Sequence, residues 1–275
     1  MNGLCLTMMT RAEFDALAPS IVPEMQRMPL TSIVLRLLAT GLIRDGTAGW
    51  AVVNSFIAPP KEAEYSKAVA LLESVGAMHG GKMTAVGAKM AQFACCPEVA
   101  KTLMVGAMLG VLDHTALAMA AAFSHRVMIH AWDLKSFGST YNGDNMHSDI
   151  FTGATFLEMC RLCRDTPMHK HGVPACVVDE ALALAQEYFT EAIAHVGVQD
   201  DPKYPWLEQA WRAVDFAIMF GFGHYISIPN DSNNIETQDG RRLRVSECGF
   251  HIHGAAAYEL DHKHARGVVP SLSFL

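Results

Sequence analysis

Cys160 and Cys163, spaced C-x-x-C, are closely followed by His169, His171 and Cys176. Thiolate and imidazole ligands at such spacing can build a tetrahedral zinc site. The other reading puts Cys160 and Cys163 at i, i+3 on a helix over 150–164. There they face its neighbours as small hydrophobes, and His169 and His171 fall in an exposed loop. A structural zinc generally replaces a core, and this segment has a long amphipathic helix on each side. The core reading is therefore adopted, with zinc as its alternative.

The pairs His251/His253 and His262/His264 also look like metal ligands, but alternation places each pair on one face of a strand or loop, half-buried or solvated. Asp239-Gly240 followed by Arg241-Arg242 reads as a hairpin with a basic shoulder, able to touch phosphate or to keep a strand edge soluble. The chain contains no G-x-x-x-x-G-K-[ST] loop, no Asp-Glu pair after an apolar strand, no arginine cluster for a γ-phosphate and no G-x-S-x-G elbow. It has no nucleotide-hydrolysis machinery of its own.

The elements that must position these groups follow from periodicity. Apolar residues at 30, 33, 34, 37, 38 and 42 predict a helix ended near Gly41, with Pro29 at its first position. Further helices are expected over 49–56 and over 62–75, the latter with Ala68, Leu71, Leu72 and Val75 on one face and Gly76 beyond. His79-Gly80-Gly81-Lys82 between short apolar pairs is a hairpin signal, and Thr84 caps a helix over 85–93. Earlier, a short strand over 4–9 and a helical piece over 11–17 precede the Pro19–Pro29 boundary.

Helices over 98–110 and 115–123 are apolar nearly all round and should lie centrally in a bundle. Ser124 to Asn145 is too long and mixed for a simple turn. Ser148 or Asp149 then caps the helix over 150–164, and more helices follow over 177–195 and 206–220. Strand-length pieces at 225–228, 235–237, 242–245 and 250–252 make the C-terminal part β-rich. The fold class is α+β, mainly α.

Composition bounds the rest. With 275 residues, 51% hydrophobic and 18% charged, the chain is not intrinsically disordered. A net charge of −7 excludes a highly basic nucleic-acid clamp. The longest uncharged apolar run, Leu103 to Leu112, is about half of a membrane span. Met1 to Thr10 carries no basic residue before its apolar run, so no signal peptide is expected. Seven cysteines without repeated spacing fit a reducing, intracellular compartment; nucleus, cytoplasm and mitochondrion are not separable.

The order of elements also carries a resemblance. Ile21-Val22-Pro23-Glu24-Met25-Gln26-Arg27 through Leu30 resembles the P-E-[IM]-x-R-x-x-L segment that leaves the second motor domain of DEAH-box RNA helicases. Ser55 to Pro60 resembles their F-x-x-P-P turn. Ala68 to Ala77 and Met83-Thr84-Ala85-Val86-Gly87 resemble the A-x-x-L-L-x-x-x-G-A and L-T-x-x-G sequences of their winged helix. Ala100 to Ser124, with Gly106 and Leu112-Asp113, resembles the start of their ratchet-like domain. His147-Ser148-Asp149 resembles its [SG]-D-H helix start. Trp211 to Gly223, then Thr237 to Val245 with a D-G-R core, resembles the entry to their OB fold.

The resemblance implies four parts: 1–28 as the tail of the second RecA-like motor domain, 29–97 as winged helix, 98–205 as helical ratchet-like domain and 206–275 as OB fold. The OB entrance reads Gly221 to Ile226 where the family has P-N-[VI]-[AC], and Ser246 to Gly249 where it has H-P-x-S. About 70 residues after Trp206 are also short for five strands, so a partial or divergent OB fold is expected.

The same resemblance implies RNA and the helicase motor domains, in cis or in trans, as partners, with a protein activator or RNP complex as a further one and no membrane. ATP and Mg are expected only with motor domains, not in this chain. Ser124, His125, Arg126 and Lys135 match the channel-side ratchet loop and are the RNA-contact candidates, joined by Arg241 and Arg242. A motor-less scaffold docking on a protein or RNP complex is the rival reading.

Overall fold

The structure is a computed structural model that describes residues 8–17, 21–124, 149–163, 173–197 and 207–223, together with the backbone of four C-terminal strands. It is mainly helical, with strands in two places.

The first part is a set of short helices closed by a hairpin. Helix α1 (Arg11–Ala16) buries none of its side chains. Helix α2 (Thr31–Ala39) buries Val34, Leu35 and Leu38, and Gly41 at φ +75° ends it. Its N-cap is Leu30, so Pro29 lies just outside the helix instead of at its first position. The helix expected over 49–56 shrinks to α3 (Trp50–Val53), because Gly49 and the 54–60 turn leave one helical turn.

Helix α4 (Glu62–Ser74) buries Tyr65, Ala68, Val69 and Leu72 and stops at Gly76, φ +75°. Strands β1 (Met78–His79) and β2 (Lys82–Met83) then pair antiparallel, Met78 opposite Met83. Gly80 and Gly81 both have positive φ, as a type I′ turn requires. The Thr84 hydroxyl accepts the Gly87 N–H at 2.9 Å and starts α5 (Ala85–Met90), which ends three residues before the expected Phe93.

The bundle follows. Helices α6 (Pro97–Leu109) and α7 (Leu112–Phe123) form its centre, with every residue from Thr115 to Ala122 buried in α7. Gly110, at φ +74°, makes the sharp link between them. Helix α7 begins three residues earlier than the apolar pattern suggests, because Asp113 and His114 interrupt that pattern without breaking the helix. A Cβ on Gly106 would run into the buried Thr115 side chain, so α6 and α7 cross closely there.

Helices α8 (Asp149–Leu162) and α9 (Ala175–Val196) pack on α7, and α10 (Leu207–Phe222) packs chiefly on α6. One continuous core joins this bundle to α2 and α4. C-terminally, β3 (Ile226–Pro229), β4 (Asn234–Glu236), β5 (Arg242–Arg244) and β6 (Val269–Pro270) pair in the antiparallel order β5-β4-β3-β6. Strand β6 had no signal in the sequence. The strands expected at 4–9 and 250–252 fall wholly or mostly outside the described residues.

Candidate nucleic-acid interface

Ser124 is where the chain leaves the core. It caps the C-terminus of α7, its N–H donating to the Ala120 carbonyl at 2.9 Å, and it is half-buried. The preceding Phe123 ring lies 6.3 Å from that of Phe222 on α10. His125, Arg126 and Lys135 lie outside the described residues. The chain re-enters the core at α8, where Ile150, Phe151 and Ala154 are buried. The chain therefore leaves α7 after Ser124 and re-enters at α8, two helices held side by side.

The opposite end of that helix pair is closed by ions. Both terminal guanidinium nitrogens of Arg161, near the end of α8, donate to Asp113 in the first turn of α7, each at 2.8 Å. Arg161 also lies 2.6 Å from Glu158. The Arg161 hydrogen bonds hold the Asp113 carboxyl below the usual carboxylate range, against a smaller opposing effect of burial. This arginine is engaged within the fold. Sequence reasoning missed the pair, since 48 residues separate its members; the one local signal was an acidic residue in a helix's first turn, where the macrodipole favours it.

The β1–β2 turn is tied down. The Gly46 N–H donates to the Gly81 carbonyl at 2.7 Å and the Gly81 N–H to Glu73 at 3.1 Å. The buried Tyr65 hydroxyl donates to the Gly46 carbonyl at 2.7 Å. Asp45 accepts from the Thr47 hydroxyl and the Thr47 and Ala48 N–H groups, which hold its carboxyl low; Lys82 adds a smaller attraction. A Cβ on Gly81 would meet the Asp45 carboxylate. The turn packs on its own domain and offers Lys82 as its single fixed positive charge.

The remaining candidates are scattered. Arg241 lies outside the described residues, and Arg242 opens β5 opposite Glu236. Cys160 is buried in α8, and burial pushes its thiol up to about 11. Cys163 stands exposed beyond the end of α8, so the two cysteines do not share the core face expected of them. Cys176 is exposed at the start of α9, and His169 and His171 lie outside the described residues. Among the described residues no group of three or more His, Cys, Asp or Glu is placed to hold a metal ion.

A buried polar cluster had no sequence signal. Glu98, at the start of α6, is almost wholly buried, one of its oxygens has no hydrogen-bond partner, and desolvation pushes its carboxyl up. Cys95 and Cys96 adjoin it and are raised chiefly by burial, Cys96 to about 12. From α9, Glu191 accepts the Ala94 N–H at 3.1 Å and His195 meets the Phe93 ring at 5.3 Å.

No protein-family model matches the chain. It is 30% identical over 123 residues to the human probable ATP-dependent RNA helicase DHX34. It is 32% identical over 137 residues to the Rattus norvegicus ATP-dependent RNA helicase TDRD9, and 32% over 115 to the Arabidopsis thaliana DExH-box ATP-dependent RNA helicase DExH4, chloroplastic. These matches cover 44%, 45% and 40% of the chain. The chain spans only 8% to 10% of the length of those relatives. No helix among the described residues is long and apolar enough to cross a membrane. Over a little under half of its length, the chain is homologous to DExH/DEAH-box ATP-dependent RNA helicases.

Proposed function

We propose that this chain acts as an accessory C-terminal module of an ATP-dependent DEAH-box RNA helicase, contacting RNA and regulating unwinding or RNP remodelling. The homology to RNA helicases carries the reading. In it, 29–97 is a winged helix, 98–205 a ratchet-like domain and 206–275 a partial or divergent OB fold, with 1–28 the end of a motor domain. The order of α2, α4, the Gly80-Gly81 hairpin and the Thr84-capped α5 supports the winged helix.

RNA would meet the loop after Ser124, with Arg126 and Lys135 as phosphate contacts and Arg241 and Arg242 as a second basic point. The chain has no glycine-rich loop ending in Lys-Ser or Lys-Thr, so no step of ATP chemistry is assigned to its residues. ATP and Mg belong to the motor domains. The test is ATP turnover by the purified chain, with and without RNA: none is expected, and measurable turnover overturns the accessory role.

One observation favours the scaffold alternative. Phe14, Leu17, Ile21, Val22 and Met28 are all exposed, leaving an apolar N-terminal stretch for a protein to cover. Partners retained after nuclease treatment support the scaffold; partners lost with the RNA support the RNA-contacting module.

A further inference from the structure

Between α5 and α6 the chain runs through 91–96 without helix or strand, and this link joins the first helices to the bundle. The Gln92 and Phe93 N–H groups close a local turn on the Lys89 and Met90 carbonyls, each at 3.1 Å. The next one bonds far away. The Ala94 N–H donates to both carboxylate oxygens of Glu191, at 3.1 and 3.3 Å, on a side chain 97 residues further on.

Glu191 does not act alone. Positions 188, 191 and 195 follow the helical repeat and share one face of α9. The buried Tyr188 lies close enough to Cys95 and Cys96 for both to act on its hydroxyl, which burial pushes up. The His195 ring stands 5.3 Å from that of the buried Phe93. Helix α9 thus grips the link at each residue from Phe93 to Cys96.

Two features make this closure breakable. Glu98, two residues past the link, is almost wholly buried, and one of its carboxyl oxygens has no partner. A buried polar group without a partner is costly, and water would satisfy it once the link opened. The grip also comes from the less buried end of α9, where Ala192 alone is buried after Tyr188. Segments with few buried contacts open locally, at a free energy below that of global unfolding. The bundle centre is held more firmly, with every residue from Thr115 to Ala122 of α7 buried.

We propose that Glu191, with Tyr188 and His195, is a latch by which α9 closes the 91–96 link, and that the link and the end of α9 open together while the rest of the bundle stays folded. Opening uncovers Cys95, Cys96 and Glu98 and frees the junction between α5 and α6. The device belongs to the fold and holds whatever the chain binds.

The two thiols report on it. Iodoacetamide labelling of the full chain at pH 8, read per cysteine by mass spectrometry, compares Cys95 and Cys96 with Cys160 in the bundle. Glu191→Ala removes the acceptor and should speed Cys95 and Cys96 about tenfold or more. Glu191→Gln removes the same charge but keeps an acceptor, and should stay within about threefold of the parent. Asp113→Asn weakens the bundle at a pair that the open state keeps. It should speed Cys160 about fivefold and leave Cys95 and Cys96 at the parent rate. Low urea should likewise speed Cys160 and not the other two, since a local opening exposes little surface.

Unchanged rates in Glu191→Ala overturn the proposal. So does Glu191→Gln labelling as fast as Glu191→Ala, which would make the effect one of charge on the thiols. Cys95 and Cys96 following Cys160 in Asp113→Asn or in urea would mean that only unfolding of the whole reaches them, and that overturns it too.

Discussion

Asp113 and Arg161 are joined by two parallel 2.8 Å hydrogen bonds across the α7–α8 pair, at the end away from Ser124. Both side chains remain about two-fifths exposed. The pair fixes one end of the α7–α8 pair, and the segment proposed to meet RNA joins the two helices at the other end. It is a positioning contact.

Asp113→Asn should destabilise the fold by about 1 kcal/mol, the scale of a well-formed but partly solvated pair. The folded carboxyl titrates below its unfolded value, so the contribution is fully present above the ordinary carboxylate pKa of about 4. It is lost as the pH falls below that and through the folded value. Urea unfolding should thus separate variant from parent at pH 7, and the gap should narrow as the pH falls below about 4.

Glu98 behaves in the opposite sense. Its carboxyl is raised by burial, so the unfolded chain gives up this proton first and stability falls as pH climbs above the unfolded value. Glu98→Gln keeps the shape and an acceptor for the Cys96 thiol. Its thermal midpoint should exceed the parent's at pH 8 and match it at pH 4. A lower midpoint at pH 8 would contradict the burial cost.

Gly221→Ala and Gly41→Ala separate two uses of glycine. At Gly221 the new methyl meets the Glu98 backbone carbonyl, which cannot rotate away, and overpacking of that kind costs about 1–3 kcal/mol. At Gly41 nothing lies within 4 Å, and only the positive φ is strained, at about 1 kcal/mol. Denaturant midpoints of the two variants should rank in that order.

Among the five cysteines of the described residues, thiol labelling at pH 8 should find Cys163 and Cys176 first, since both are exposed. Cys95, Cys96 and Cys160 should lag, because burial keeps each protonated well above that pH. Mass spectrometry of iodoacetamide time courses reads the order directly.

What the sequence made legible was local. Gly41 and Gly76 mark helix ends, Gly80-Gly81 the tight turn and Thr84 a cap, each by backbone chemistry that needs no distant partner. Leu112 to His114 fall between the helices expected over 98–110 and 115–123, yet they form the first turn of α7. Cys160 and Cys163 were assigned one face, but the helix ends at Leu162 and turns the second thiol out. Distant relationships left no trace in spacing: the Asp113–Arg161 clamp, the α10 crossing at Gly221 and the Glu191 contact to Ala94. Of the RNA candidates Ser124 and Arg242 fall among the described residues, and the place of Ser124 at the end of the central helix follows from the composition of α7.

Binding of a fluorescent single-stranded RNA to the 275-residue chain, titrated at low and at higher salt, tests the central claim most directly. The account expects weak binding that falls as salt rises and that weakens severalfold in the Arg126→Ala, Lys135→Ala double variant. Absence of binding at low salt, or binding indifferent to both salt and the two substitutions, would contradict it.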